Sequence, residues 1–158
     1  MTVELPDAAA TAALAERMCG LLPDDTSGWI LLLEGELGSG KSTFARAMIV
    51  MMGHSGPVPS PSYTLVEPYR LAGRTIYHVD LYRVTSEDEL RYLGWNELDD
   101  GLRIVEWPDR VPALRNQADI RIGLRYAGSG READIDGLSA RGRRLVSKLD
   151  ASSTSLQD

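Results

Sequence analysis

The chain has 158 residues, 43% hydrophobic and 25% charged, enough for one domain with a buried core. Its net charge of −6 argues against a broad basic face that grips a nucleic-acid backbone, and its single cysteine, Cys19, excludes an internal disulfide. No apolar run approaches the ~20 residues of a membrane helix, nothing resembles a zinc site, and the N-terminus has early acids and no basic n-region, so a cytoplasmic protein is expected.

Thr2 to Leu5 reads as a short edge strand. Pro6 and Asp7 suit a helix start, and Ala10, Leu14, Met18, Leu21 and Leu22 form one apolar stripe, which predicts a helix from Asp7 to Leu22. A loop, Pro23 to Gly28, leads into Trp29–Glu34, an apolar run too short for a helix and suited to a buried strand.

Gly35-Glu36-Leu37-Gly38-Ser39-Gly40-Lys41-Ser42 then fits G-x-x-x-x-G-K-[ST], the phosphate-binding loop. Polyphosphate needs several donors close together. Gly38 and Gly40 lack a Cβ, so the backbone between them can turn its N–H groups inward. The helix that begins near Thr43 adds the positive end of its dipole. Lys41 is expected to reach the β- and γ-phosphates and the Ser42 hydroxyl to ligate Mg2+. The chain has 17 basic residues but only two lysines, Lys41 and Lys148. It keeps a compact ammonium on a flexible stem at this position.

Gly53 to Pro61 is a Gly-, Pro- and Ser-rich loop. Ser60, Ser62 and Thr64 offer hydroxyls where nucleotide-sensing switches often lie, although an ordinary turn explains them on composition alone. Tyr63–Tyr69 and Arg74–Leu81 read as a hairpin joined by Arg70 to Gly73. The second strand closes on Asp80 and a later one, Leu102–Glu106, closes on Glu106. Either acid could sit near Mg2+ and the other orient a water; spacing does not decide between them. Between them, Ser86 and Glu89 make a capping box on a short helix that ends at Gly94. Trp107-Pro108 breaks the strand, and packing is the default reading of Trp107. Ala118–Tyr126 alternates as a half-exposed strand, with Arg131–Ile135 as its antiparallel partner. Ser139–Leu149 reads as a last helix with a solvated basic face at Arg141, Arg143 and Arg144. The expected organisation is one domain over 1–149 and a disordered polar tail over 150–158.

Four motifs in order, GELGSGKST at Gly35–Thr43, SPSYTLVEPY at Ser60–Tyr69, HVDLYR at His78–Arg83 and VEWPDR at Val105–Arg110, resemble those of the bacterial TsaE family. The first is generic to nucleotide binders; the other three are specific. The resemblance runs over roughly Leu31–Leu114. It implies a small phosphate-loop α/β domain, with a central parallel sheet extended by antiparallel strands and helices on both faces. It implies ATP and Mg2+ as cofactors, with Glu36, Leu37, Gly38, Ser39, Gly40, Lys41, Ser42 and Thr43 on the nucleotide. Ser42 and Glu106 then match the metal-associated pair, Lys41, Asp80 and Glu106 the residues of hydrolysis, and Ser60–Thr64 the switch. In such proteins slow ATP hydrolysis serves a complex with TsaD and TsaB that makes threonylcarbamoyladenosine next to the tRNA anticodon. The tRNA is met only through that complex, and no membrane is involved. Ser42 and Ser62 stand where the family often has Thr, which keeps both hydroxyls.

Two other readings compete. A small-molecule kinase would need an acceptor site and an Arg-bearing lid, and no long insertion follows the core. A GTPase-type switch would need Asn-Lys-x-Asp. Asn96-Glu97-Leu98-Asp99 lacks the lysine, and Asp134-Ile135-Asp136-Gly137, which imitates D-x-x-G, lies on the wrong side of it.

Overall fold

The computed structural model describes residues 1–154. Along them run β1 (Thr2–Leu5), α1 (Ala8–Leu21), β2 (Ile30–Glu34), α2 (Lys41–Met51), β3 (Val66–Leu71), β4 (Arg74–Asp80), α3 (Glu87–Tyr92), β5 (Leu102–Glu106), β6 (Ile120–Ala127), β7 (Gly130–Gly137) and α4 (Ala140–Thr154). Short 3-10 turns occupy Trp95–Leu98, Pro108–Arg110 and Pro112–Asn116. The strands form one sheet in the order β1-β7-β6-β2-β5-β4-β3. Its centre, β6, β2, β5 and β4, is parallel, and the β1–β7, β6–β7 and β3–β4 pairs at the edges are antiparallel. This is the mixed α/β architecture expected.

The apolar run of β2 is explained by cover on both faces. Leu31 and Leu33 join a cluster with Leu14, Met18, Phe44, Met48, Ile49, Leu145 and Leu149, so α1, α2 and α4 share one face. Ile30 and Leu32 point the other way, to Val84, Leu90, Trp95, Val111 and Leu114, where short α3 and the 3-10 turns provide the cover. Among the described residues no helix is long and apolar enough to cross a membrane.

Several boundaries and roles differ from the sequence expectation, each for a local reason. Strand β3 starts at Val66, not Tyr63, because the Leu65 N–H donates to the Pro61 carbonyl at 2.8 Å and Leu65 turns at φ 66°. The capping box of α3 is half-made. Ser86 Oγ accepts from Glu89 N, but the Glu89 carboxylate takes the Thr85 hydroxyl. Helix α4 runs to Thr154, so the first part of the expected tail is helical. Arg17 of α1 donates to the Leu149 carbonyl at 2.8 Å and to the Ser152 and Ser153 hydroxyls, which ties this end down. Residues 155–158 of that tail lie outside the described residues.

Arg141 is also not a solvated cation. It donates to both oxygens of buried Asp119 and to the Gly28 carbonyl, and lies 4.5 Å from the Trp29 ring. Asp119 further accepts from Ser139 Oγ and from the Ile30 N–H, so one carboxylate pins α4 to β2 and β6. Gly142 makes this approach possible. A Cβ there would stand 1.8 Å from the Asp119 carbonyl oxygen. Gly142→Ala is expected to cost about 3 kcal/mol, the upper end of ordinary overpacking. A thermal melt should show this as a fall in Tm of roughly 6–12 °C.

Candidate active site

Ligands in parallel α/β sheets bind beyond the carboxyl ends of the strands, and the candidate residues meet there. The loop between β2 and α2 turns through Gly35, Gly38 and Gly40 at φ 147°, 77° and 109°. Gly35 has no room for a side chain. Its Cβ would lie 2.4 Å from both the Leu124 carbonyl oxygen of β6 and Ser39 Oγ. No side chain caps α2, whose N-cap is Gly40, so the amides of its first turn are left for an anion.

A cleft of about 470 Å3 opens over this turn. Leu37, Gly38, Gly40, Lys41, Ser42 and Thr43 line its floor. Glu36 and Ser39 do not line it. Glu36 contributes its carbonyl to Lys41, and Ser39 Oγ is buried under the loop without a hydrogen-bond partner. Lys41 Nζ donates to the carbonyls of Gly35 (2.7 Å) and Glu36 (2.9 Å), 4.0 Å from the centroid of a Trp107 ring. Burial lowers the Lys41 pKa; the charges of Glu106, Asp80 and Asp109 oppose that.

The two acids share this edge. Parallel pairing puts Asp80 opposite Glu106 at the ends of β4 and β5, and both line the cleft. Glu106 Oε1 accepts from Ser42 Oγ at 2.8 Å, so the expected metal pair is in contact. Glu106 Oε2 meets His78 Nε2 at 2.6 Å. Asp80 Oδ1 accepts from the Tyr82 N–H at 2.9 Å. Burial pushes the Asp80 carboxyl above its ordinary pKa, opposed by that N–H bond, with the Glu106 charge adding to the rise.

The third wall is the expected switch segment. Ser60 and Ser62 line the cleft, with their hydroxyls 2.8 Å apart; Thr64 is exposed and does not. Tyr63 also lines it, under the Arg83 guanidinium at 4.3 Å. The Leu65 carbonyl accepts from the Asp80 N–H at 2.9 Å, which couples this segment to the end of β4. Among the described residues, the non-glycine residues with left-handed φ are Leu65 and Trp107 (57°), and both border this site. Trp107 is thus more than core packing. It covers Lys41 and packs tilted against Tyr82, with ring centroids 5.0 Å apart.

Three features escaped the sequence reading. The β6–β7 hairpin braces the loop from outside, where Tyr126 Oη donates to the Leu37 carbonyl (3.0 Å) and Arg131 Nη2 to that of Gly38 (3.1 Å). These contacts span about ninety positions, and no local pattern announces them. A second hollow, of about 250 Å3, shares Gly38, Gly40 and Thr43 and is closed by Pro6, Thr11 and Arg131. His78 could have been noticed, because it lies two residues before Asp80 and therefore on the same face of β4.

A family model described as threonylcarbamoyl adenosine biosynthesis protein TsaE matches residues 5–133. The tRNA threonylcarbamoyladenosine biosynthesis protein TsaE of Haemophilus influenzae is 36% identical over 120 residues, 75% of this chain and 76% of that protein. That of Bacillus subtilis is 33% identical over 125 residues, 77% and 78% of the two chains. The fold is also that of the crystal structure of Bacillus subtilis YdiB, at a TM-score of 0.77 and 24% identity over 97% of this chain and 95% of that one.

Proposed function

The chain belongs to the TsaE family of threonylcarbamoyl adenosine biosynthesis proteins, and from that premise we propose that it is a Mg2+-dependent ATPase. It serves threonylcarbamoyladenosine formation next to the tRNA anticodon, in the cytoplasm, in a complex with TsaD and TsaB. The observation that carries the ATPase reading is the convergence of Lys41, Ser42, Asp80 and Glu106 on one cleft above an uncapped helix start.

The amides of the Gly38–Thr43 turn hold the phosphates, and Lys41 leaves the Gly35 and Glu36 carbonyls to take the β- and γ-phosphate charge. Ser42 and Glu106 present two hard oxygens in contact, which suits Mg2+. Among the described residues no cluster of three or more His, Cys, Asp or Glu is arranged to hold a metal alone. This agrees with a cation bound by one or two side chains together with phosphate oxygens. When bound, Mg2+ neutralises charge on the phosphates. Asp80 orients water for attack on the γ-phosphorus as the bond to the ADP oxygen breaks, giving ADP and phosphate. Arg83 adds a second cation at the cleft wall. With a net charge of −6, the chain leaves tRNA contact to its partners.

Binding calorimetry with ATP and GTP, each with and without Mg2+, tests this reading. ATP is expected to bind more tightly with Mg2+ and in preference to GTP. Preference for GTP would revive the switch reading. The GTPase-like Asp134 already has a structural role, accepting from Thr2 Oγ1 at 2.7 Å and pairing with Arg125.

A further inference from the structure

His78 is 1% exposed and Glu106 2%, so their contact is sealed from water. The register pairs Asp80 with Glu106 and His78 with Ile104, which sets the imidazole on the diagonal to the carboxylate, on one face of the sheet. The ring makes its hydrogen bond through Nε2, to Glu106 Oε2 at 2.6 Å; Nδ1 is buried with no partner. An apolar side chain would fill this space without stranding a polar atom. The bond that the ring does make is therefore what the histidine contributes.

We infer that His78 is a positioning residue for Glu106, donating from Nε2 so that Oε1 stays on Ser42, in place for the divalent cation. With the carboxylate accepting, the proton sits on Nε2 and the unpartnered Nδ1 carries its lone pair, the less costly atom to leave unmet. Remove this donor and Oε2 is a buried carboxylate oxygen without a partner. The carboxylate then turns toward the Lys41 ammonium, whose charge already interacts with it, and Oε1 leaves Ser42. Outer hydrogen bonds of this kind set the orientation of a ligand and typically change metal affinity ten- to a hundredfold when lost.

The inference rests on the nucleotide–Mg2+ reading and is tested by binding rather than turnover. ATP affinity is measured by calorimetry in EDTA and across a Mg2+ titration, for the wild type, His78→Gln and His78→Asn. Gln places an amide N–H near the position of Nε2, whereas Asn falls short of it. Both bury a polar amide, so a merely structural role would make them alike. His78→Asn is expected to need about 10- to 100-fold more Mg2+ for half-maximal tightening of ATP. His78→Gln should stay within about threefold of the wild type, and all three proteins should bind ATP alike in EDTA. His78→Leu, which buries no polar group, should repeat the Asn result. Equal Mg2+ requirements for Asn, Leu and the wild type would overturn the inference, as would the same loss with and without Mg2+. A wild type indifferent to Mg2+ would instead overturn the metal–nucleotide reading beneath it.

Discussion

Lys41→Ala is expected to abolish measurable ATP binding and to slow hydrolysis on the order of 10³-fold, the upper end of what loss of one preorganised charge-stabilising donor costs. Lys41 is 4% exposed, and its ammonium already sits within the loop, on the Gly35 and Glu36 carbonyls. It needs only a short swing to reach a phosphate in the cleft. No other lysine can substitute, since Lys148 lies exposed on α4. Lys41→Arg keeps the charge but is not expected to rescue. The planar guanidinium is too broad for the gap between the loop carbonyls and the Trp107 ring. Calorimetry and a phosphate-release assay check both variants, and a thermal melt confirms that each is folded.

Asp80→Asn and Glu106→Gln are expected to lower hydrolysis on the order of 10²-fold or more, Asp80→Asn with ATP affinity within a few fold of the wild type and Glu106→Gln with a raised Mg2+ requirement for tight ATP binding. Each substitution keeps the shape and removes the charge. Asp80→Asn carries a second, opposite expectation. Burial raises the Asp80 pKa in the folded state, so the ionised carboxylate destabilises the fold at neutral pH. The sign follows from linkage. Stability associated with a raised pKa is fully present below the unfolded value and is lost as pH rises through the folded one. Asp80→Asn should therefore melt at or above the wild-type Tm at pH 7, and its advantage should vanish as pH falls below the ordinary carboxylate pKa. A variant that is slower yet no less stable marks a carboxylate kept for chemistry rather than for the fold. If both acid variants hydrolyse ATP normally in the full complex, the assignment of these two acids is wrong.

What was legible in the sequence was local. The phosphate loop is a contiguous pattern flanked by a strand and a helix, and its residues lie where the pattern places them. Asp80 and Glu106 were legible as acids that close apolar runs, although only strand order and register show that they face one site. The proposed link between Ser42 and Glu106 spans 64 positions and becomes a 2.8 Å contact only once β2 and β5 pair. The switch segment was half legible. Its hydroxyls could be named, but the left-handed turn at Leu65 that shortens β3 and puts Ser60 and Ser62, without Thr64, on the cleft could not. The least legible part was the brace from Tyr126 and Arg131, whose residues read as an ordinary hairpin because their targets are loop carbonyls far away in the chain. Arg141 failed for a related reason. A charge run on a helix usually faces water, and only the fold shows that buried Asp119 waits beside it.

The measurement that tests the account most directly is ATP hydrolysis by the purified chain, first alone and then with TsaD, TsaB and tRNA. Slow turnover alone that rises when the partners are added is the predicted result, with Lys41→Ala inactive in both settings. Turnover indifferent to the partners, or GTP consumed in preference to ATP, would contradict it.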